Sequence, residues 1–127
     1  MRISKDTKLN EIQERFESLF PSLKLVFYRT PISADEVLKD ENILDLTLTV
    51  GDIKNLPYGG FFPIHEEINV VDFEKMLSIL FGLNAKIISR SGKSSLENVP
   101  REIYTLKEQN DLCFEVDNFL KQVISNS

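Results

Sequence analysis

The sequence predicts an α+β protein with a ferredoxin-like four-stranded antiparallel sheet, two helices on one face of that sheet and a further C-terminal helix. Two observations lead to this prediction. A helical pattern followed directly by a strand pattern occurs twice, in residues 9–29 and in residues 70–90. Each copy also has a short extended lead-in, so each reads as strand, helix, strand, and two such units most naturally form one antiparallel sheet.

The first copy begins with the lead-in RISK and continues into an amphipathic helix. Its apolar side chains recur at helical spacing at Leu9, Ile12, Phe16, Leu19 and Phe20. Pro21 marks the end of this helix because proline lacks the N–H that the helical ladder uses. The run LKLVFY that follows has the aromatic and branched side chains of a strand.

The segment between the two copies is acidic and less regular. Residues 31–75 contain ten acids and three bases. Ser33 and Glu36 predict a capping box for a short helix, and the carboxylates of residues 35–45 are typical of a solvated face. LTLTVGDIKN leaves two alternatives open: its alternation favours a strand, whereas Thr49 favours the cap of one helical turn.

The second copy repeats the plan after the lead-in HEEINV. Its apolar stripe consists of Val70, Phe73, Leu77, Leu80 and Phe81. Gly82 ends the helix and residues 85–89 supply the strand. The third helix begins at TLKE, a capping box in which Thr105 accepts from the Glu108 amide and Glu108 accepts from the Thr105 amide.

Size and composition indicate one globular domain spanning residues 1–127. Hydrophobic residues make up 42% and charged residues 28%, which are ordinary globular values. Cys113 is the one cysteine, so no internal disulfide forms. The N-terminus has no apolar run of a signal peptide and no segment has the length of a membrane span, so we expect a cytoplasmic protein without membrane contact. The net charge of -5 and the absence of an RNA-recognition pattern predict no nucleic-acid binding.

NLPYGGFFPIHEE, residues 55–67, is the segment most suggestive of a site because it holds the only histidine beside glycines and aromatic rings. The candidate ligand-binding residues in it are Tyr58, Phe62, His65 and Glu67. His65 and Glu67 share a face of an extended strand, yet two side chains fall short of the three or four ligands of a zinc site. We therefore expect no metal and no cofactor. FFPIHEE is predicted to be an edge strand, and self-association through it makes a homodimer one form that a protein partner could take.

Other signatures of catalysis are incomplete. SRSGKSS contains the end of a phosphate-binding loop, but Ile87 stands where that motif needs a glycine. No nucleophile elbow or cysteine-protease motif accompanies His65, the only imidazole. We therefore assign no catalytic residue.

Two motifs resemble those of a family of small, uncharacterised bacterial proteins. FGLNAKIISRSG, residues 81–92, resembles a helix ending in F-G-L followed by a strand and an R-x-S-G turn. TLKEQN, residues 105–110, resembles the T-L-x-E-Q-N start of the family's last helix. The family brings no known activity, and the resemblance implies only a small, stand-alone cytoplasmic protein.

The sequence as a whole favours a non-catalytic protein-binding or assembly module. The alternative is a small-ligand sensor or enzyme that uses the segment from Tyr58 to Glu67, with His65 and Glu67 as its acid–base pair. A pocket lined by Tyr58, Phe62 and His65 would favour the alternative, whereas a filled core at this segment would disfavour it.

Overall fold

The computed structural model describes residues 1–29, 43–53, 60–90 and 104–125. The elements in these ranges are β1 (Arg2–Ile3), α1 (Leu9–Leu19), β2 (Leu23–Tyr28), α2 (Val50–Ile53), β3 (Gly60–Phe61), α3 (Val70–Phe81), β4 (Asn84–Ser89) and α4 (Leu106–Ser125). Both predicted helix–strand successions are present, as α1–β2 and α3–β4. The predicted helix at residues 33–39 lies outside the described residues.

The sheet topology differs from the prediction. Within the described residues, β1 pairs antiparallel with β3, and β2 pairs antiparallel with β4. Ile43, which lies outside the strands, adds one antiparallel bridge to Tyr28 of β2. The described part of the chain is therefore α+β with two separate two-stranded sheets and four helices, and the predicted ferredoxin-like four-stranded sheet is wrong.

The residues that precede the helices explain the difference, because their backbone carbonyls accept hydrogen bonds from the first N–H groups of other helices. The Leu9 N–H donates to the Leu48 carbonyl, and the Val50 N–H donates to the Thr7 carbonyl, each at 2.9 Å. These bonds satisfy first-turn N–H groups that have no partner inside a helix. Residues just before α1 and α2 thus pair with each other, joined by the bridge between Lys8 and Thr49, and do not extend the β2–β4 sheet.

The second pair of helices repeats this arrangement. The Val70 N–H donates to the Tyr104 carbonyl at 3.1 Å, and the Leu106 N–H donates to the Ile68 carbonyl at 2.9 Å. Asn69 forms the corresponding bridge with Thr105. The lead-in HEEINV is consequently bound to the start of α4, and it contributes no strand.

The β2–β4 ladder forms the centre of the core. Leu25 lies opposite Ile87, and Phe27 lies opposite Ala85, so these residues share one face of the sheet. Both helices α1 and α3 cover that face, because the rings of Phe16 and Phe73 meet there with centroids 5.2 Å apart. The core is therefore a two-helix layer on a two-stranded ribbon.

Each of these helices also binds the backbone of the central strand pair. The Gln13 Nε2 group donates to the Leu25 carbonyl at 2.8 Å, and the Ile87 N–H donates to Glu74 Oε2 at 2.7 Å. Gln13 and Glu74 occupy corresponding positions, because each is the fifth residue of its helix. One side chain from each helix thus forms a hydrogen bond with a backbone group of the Leu25–Ile87 pair: the Leu25 carbonyl in one case and the Ile87 N–H in the other.

Capping boxes define the starts of two helices. The Glu108 N–H donates to Thr105 Oγ1 and the Thr105 N–H donates to Glu108 Oε1, both at 3.1 Å, which confirms the predicted box. The Thr49 N–H donates to Asp52 Oδ2 at 2.9 Å, and the Asp52 N–H donates to Thr49 Oγ1 at 3.2 Å. The helical alternative for this segment is therefore correct, as α2 is one turn long.

Candidate functional site

The predicted ligand-binding aromatics do not come together as a pocket in the described residues. Tyr58 lies outside these residues. The Phe62 side chain is completely buried, with ring centroids 5.3 Å from Phe73 and 5.6 Å from Phe81, both edge-on. Phe62 therefore fills the core between α3 and β1, and its ring is not available to stack on a ligand.

His65 and Glu67 are both exposed, in the turn that precedes α3. The Glu67 N–H donates to His65 Nδ1 at 3.2 Å, and the Ile68 N–H donates to the His65 carbonyl at 3.1 Å. The contact between the two residues thus runs from a backbone amide to the imidazole and stabilises the turn. Among the described residues, no three histidine, cysteine, aspartate or glutamate side chains are placed to hold a metal ion. A ligand role for this segment stays a prediction.

The predicted edge strand over residues 61–67 is wrong, because β3 ends at Phe61. Phe62 exchanges two backbone bonds with Met1, its N–H donating to the Met1 carbonyl at 2.6 Å and its carbonyl accepting from the terminal amine at 3.0 Å. Pro63 then offers no N–H, and the turn at His65 follows. The one large apolar side chain that this segment exposes is Phe61, at 72%.

The two motifs of the family resemblance meet at one structural joint, the turn between α1 and β2. Arg90 donates its backbone N–H to the Ser22 carbonyl at 3.0 Å and its Nη1 group to the Pro21 carbonyl at 3.3 Å. The Ser22 N–H donates to Asn110 Oδ1 at 2.8 Å. Arg90 from the R-x-S-G turn and Asn110 from T-L-x-E-Q-N thus fix the position of the same turn, and α4 is anchored there.

Two buried polar atoms near this joint have no hydrogen-bond partner: Glu17 Oε2 and Gln109 Oε1. Glu17 Oε1 lies 3.9 Å from Arg90 Nη2, a distant ion pair at a site where the arginine is 57% exposed. Gln109 is 1% exposed, and its Nε2 group lies 3.9 Å from Cys113 Sγ. The sequence pattern did not indicate either atom, although a glutamine within an otherwise apolar helical face was a visible signal.

The clear pKa shifts among the described residues belong to turns. Hydrogen bonds from Thr47, backbone first and then hydroxyl, lower the pKa of the Asp45 carboxyl. Thr49 acts in the same way to lower the pKa of Asp52. Both carboxylates are solvent-exposed and stabilise local turns, so the shifts do not indicate an acid–base site.

The helix α4 has two halves with different environments. Leu106, Gln109 and Cys113 are buried in its proximal half. In its distal half, every described side chain from residue 118 to residue 123 is exposed, and Phe119 and Val123 are exposed at 64% and 51%. We define the distal stripe as Leu112, Val116, Phe119 and Val123, of which the first two are half-buried.

The distal stripe follows the spacing of a coiled-coil seam. Its members are separated by four, three and four residues, which places all four on one side of the helix. Phe114 is also exposed, at 56%, but it lies on the opposite side of α4, about 140° around the helix axis from Phe119. A stripe that packs on its own core and a stripe that another protein covers have the same spacing, so the sequence pattern alone does not distinguish them.

Two other predicted core residues are exposed as well. Leu19 at the end of α1 is 42% exposed, and Leu80 at the end of α3 is 50% exposed. Both were assigned to the apolar stripes that face the sheet. The next member of each predicted stripe, Phe20 or Phe81, is buried as expected. Ile79 is exposed at 74% on α3, so the exposed apolar side chains are not confined to α4.

Comparisons with protein-family models, with curated proteins and with solved structures find no match. The resemblance carried by residues 81–92 and 105–110 therefore stays a prediction. In the part of the chain that the structure describes, no helix combines the length and apolar character needed to cross a membrane.

Proposed function

We propose that this chain is a non-catalytic protein-binding or assembly module whose contact surface is the distal stripe of α4. The observation that supports this proposal is the exposure of Phe119 and Val123, which lie on one side of the distal half of α4. Large apolar side chains aligned along one side of an exposed helix are typical of a surface that another protein covers.

The shape of the surface indicates what kind of partner fits it. The stripe is one side chain wide, with spacings of four and three residues. This is the spacing of side chains that pack as knobs into the holes between side chains of a second helix. A flat sheet or a small molecule would leave most of its length uncovered. The partner is therefore a helix with an apolar stripe of its own.

The segment from Tyr58 to Glu67 supports a ligand site less well. The ring of Phe62 is part of the core, and the side chains of His65 and Glu67 point from an exposed turn. No described carboxylate contacts the imidazole as a general acid–base pair requires. We therefore place the function of the chain at the distal stripe.

Site-specific photo-cross-linking in cells tests this proposal. A photoreactive phenylalanine analogue is introduced at Phe119 in one variant and at Phe114 in the matched control. Both positions carry an exposed phenylalanine of the same helix, and only the first belongs to the distal stripe. We expect an adduct from position 119 whose cross-linked peptide comes from the apolar side of a helix.

Equal adducts from both positions, or none from position 119, would overturn the proposal. A captured peptide from a loop or a strand would also contradict it, because such a partner does not fit a narrow helical seam. Circular dichroism of both variants checks that the analogue leaves the helix content unchanged.

A further inference from the structure

We infer that the helix covering the distal stripe is α4 of a second copy of this chain, packed antiparallel. This inference rests on the proposed function and specifies its partner. Three features of α4 favour this partner: the spacing of the stripe, the sizes of its side chains and the position of the rest of the domain along the helix.

The spacing of the stripe is the same in both directions along the helix. Leu112, Val116, Phe119 and Val123 are separated by four, three and four residues, so reversing the helix returns the same pattern. An antiparallel pair centred between Asp117 and Asn118 therefore places every member opposite another member. A surface that matches its own reversed copy is what a two-fold symmetric contact requires.

The side chains that would face each other differ in size. In the antiparallel pair, Val116 lies opposite Phe119 of the second copy, and Leu112 lies opposite Val123. A large side chain against a small one fills a helix–helix seam without overlap. A parallel pair would instead set Phe119 against Phe119 and Val116 against Val116, which gives one crowded layer and one loose layer.

The globular part of the chain also favours the antiparallel arrangement. It contacts α4 through the buried residues Leu106, Gln109 and Cys113, in the proximal half. With a rise of about 1.5 Å per residue, Gln109 lies roughly 13 Å from the centre of the proposed contact. The two domains would therefore lie at opposite ends of the helix pair, whereas a parallel pair would place two domains of net charge -5 side by side.

The residues at the margin of the stripe are compatible with this contact. Glu115 and Gln122 flank it on one side and are both exposed. The antiparallel pair places Glu115 beside Gln122 of the second copy, so no like charges are brought together. The contact is short, about 18 Å of helix, and we expect it to dissociate in the micromolar range.

Sedimentation across micromolar concentrations measures this self-association in the full chain. The wild type is expected to shift from its monomer mass of 14.6 kDa toward twice that mass. Phe119→Glu should remain monomeric at every concentration, because it sets a charge opposite Val116. Phe114→Glu, the matched control on the other side of α4, should dimerise as the wild type does.

Mixing two variants tests the orientation. Val116→Glu alone and Phe119→Lys alone should each be monomeric. An antiparallel pair formed between these two variants would place the new glutamate opposite the new lysine and retain one native contact of Phe119 with Val116. We expect dimers to reappear in the equimolar mixture.

The outcomes separate this inference from the proposed function. A wild type that stays monomeric, a dimer that Phe119→Glu leaves intact, or a mixture that stays monomeric would overturn the antiparallel second copy. If the position-119 adduct in cells nevertheless contains a helix of another protein, the proposed function stands and only the identity of its partner is wrong. An adduct of twice the chain mass that links position 119 to residues near Val116 supports both.

Discussion

The two halves of α4 share one helix and one apolar pattern, yet they have different environments. The proximal half is held by the capping box at Thr105, by the bond from Ser22 to Asn110 and by the burial of Leu106 and Cys113. In the distal half, the described side chains from residue 118 to residue 123 are exposed, and Phe119 is 64% exposed. Apolar spacing therefore indicates that a helix has an apolar side. In α4, the part of the helix that packs on its own domain is the part that also has the capping box and the bond to Ser22.

The same contrast separates the residues of α4 that stabilise the fold from those that are exposed for contact with a partner. Removing a side chain of the proximal half should cost folding free energy, because that half is part of the core. Removing one from the distal half should cost association and leave the monomer unchanged. Substitutions along α4 can confirm or break this division.

The largest expected effect is that of Leu106→Ala. Leu106 is completely buried at the first position of α4, so truncation leaves a cavity and should lower the free energy of unfolding by roughly 2–5 kcal/mol. Equilibrium denaturation measures the change. Lys107→Ala, at the exposed neighbour, is the control and should alter stability by less than about 0.5 kcal/mol. A loss under about 1 kcal/mol for Leu106→Ala would mean that the proximal half is not an anchor.

Asn110→Ala should have the next largest effect, because it removes the acceptor of the part-buried Ser22 N–H. Leaving that donor unsatisfied should lower the free energy of unfolding by about 1–3 kcal/mol. Asn110→Asp keeps an oxygen at this position and serves as the control, with a smaller loss expected. If both variants unfold at the wild-type denaturant midpoint, Asn110 does not anchor α4 at the joint.

The sequence was sufficient for the long, strongly periodic elements. The helices α1 and α3, the strands after them and the capping box at Thr105 were predicted, because the local pattern alone specifies them. The number of strands in the sheet was not, because pairing depends on partners far along the chain. RISK and HEEINV read as strand lead-ins, and RISK does contain the short strand β1. Only the structure shows that Lys5 and Ile68 in these lead-ins accept hydrogen bonds from N–H groups at the starts of α2 and α4.

The candidate site was harder to predict from the sequence. Phe62, beside two glycines and a histidine, has the composition of a ligand-binding rim, yet its ring packs against Phe73 and Phe81. Composition does not distinguish a ring that faces solvent from one that faces the core. Phe119 is the reverse case: it has the spacing of an apolar helix face, yet its side chain is exposed in the distal half of α4.

Gln109→Leu should raise stability by about 1 kcal/mol, because it removes the buried Oε1 atom that has no partner while keeping a similar volume. The gain should appear as a higher denaturant midpoint at an unchanged slope. Gln109→Glu places a charge at the same buried position and should have the opposite effect. A loss of stability in Gln109→Leu would indicate that the hydrogen bonds of the Gln109 amide stabilise the fold by more than the burial of that amide costs.

The smallest effect on folding is expected for Val123→Ala, which makes it the sharpest test of the division between the halves of α4. Val123 is 51% exposed in the monomer, so at concentrations well below the dimer range its truncation should change the free energy of unfolding by less than about 0.5 kcal/mol. At higher concentrations the wild type should gain stability from association, since a partner that binds only the folded chain stabilises it. Val123→Ala should gain less, because it leaves Leu112 of the second copy without its opposite side chain. Denaturation of both proteins at two concentrations measures the difference, and equal gains would place the contact away from Val123.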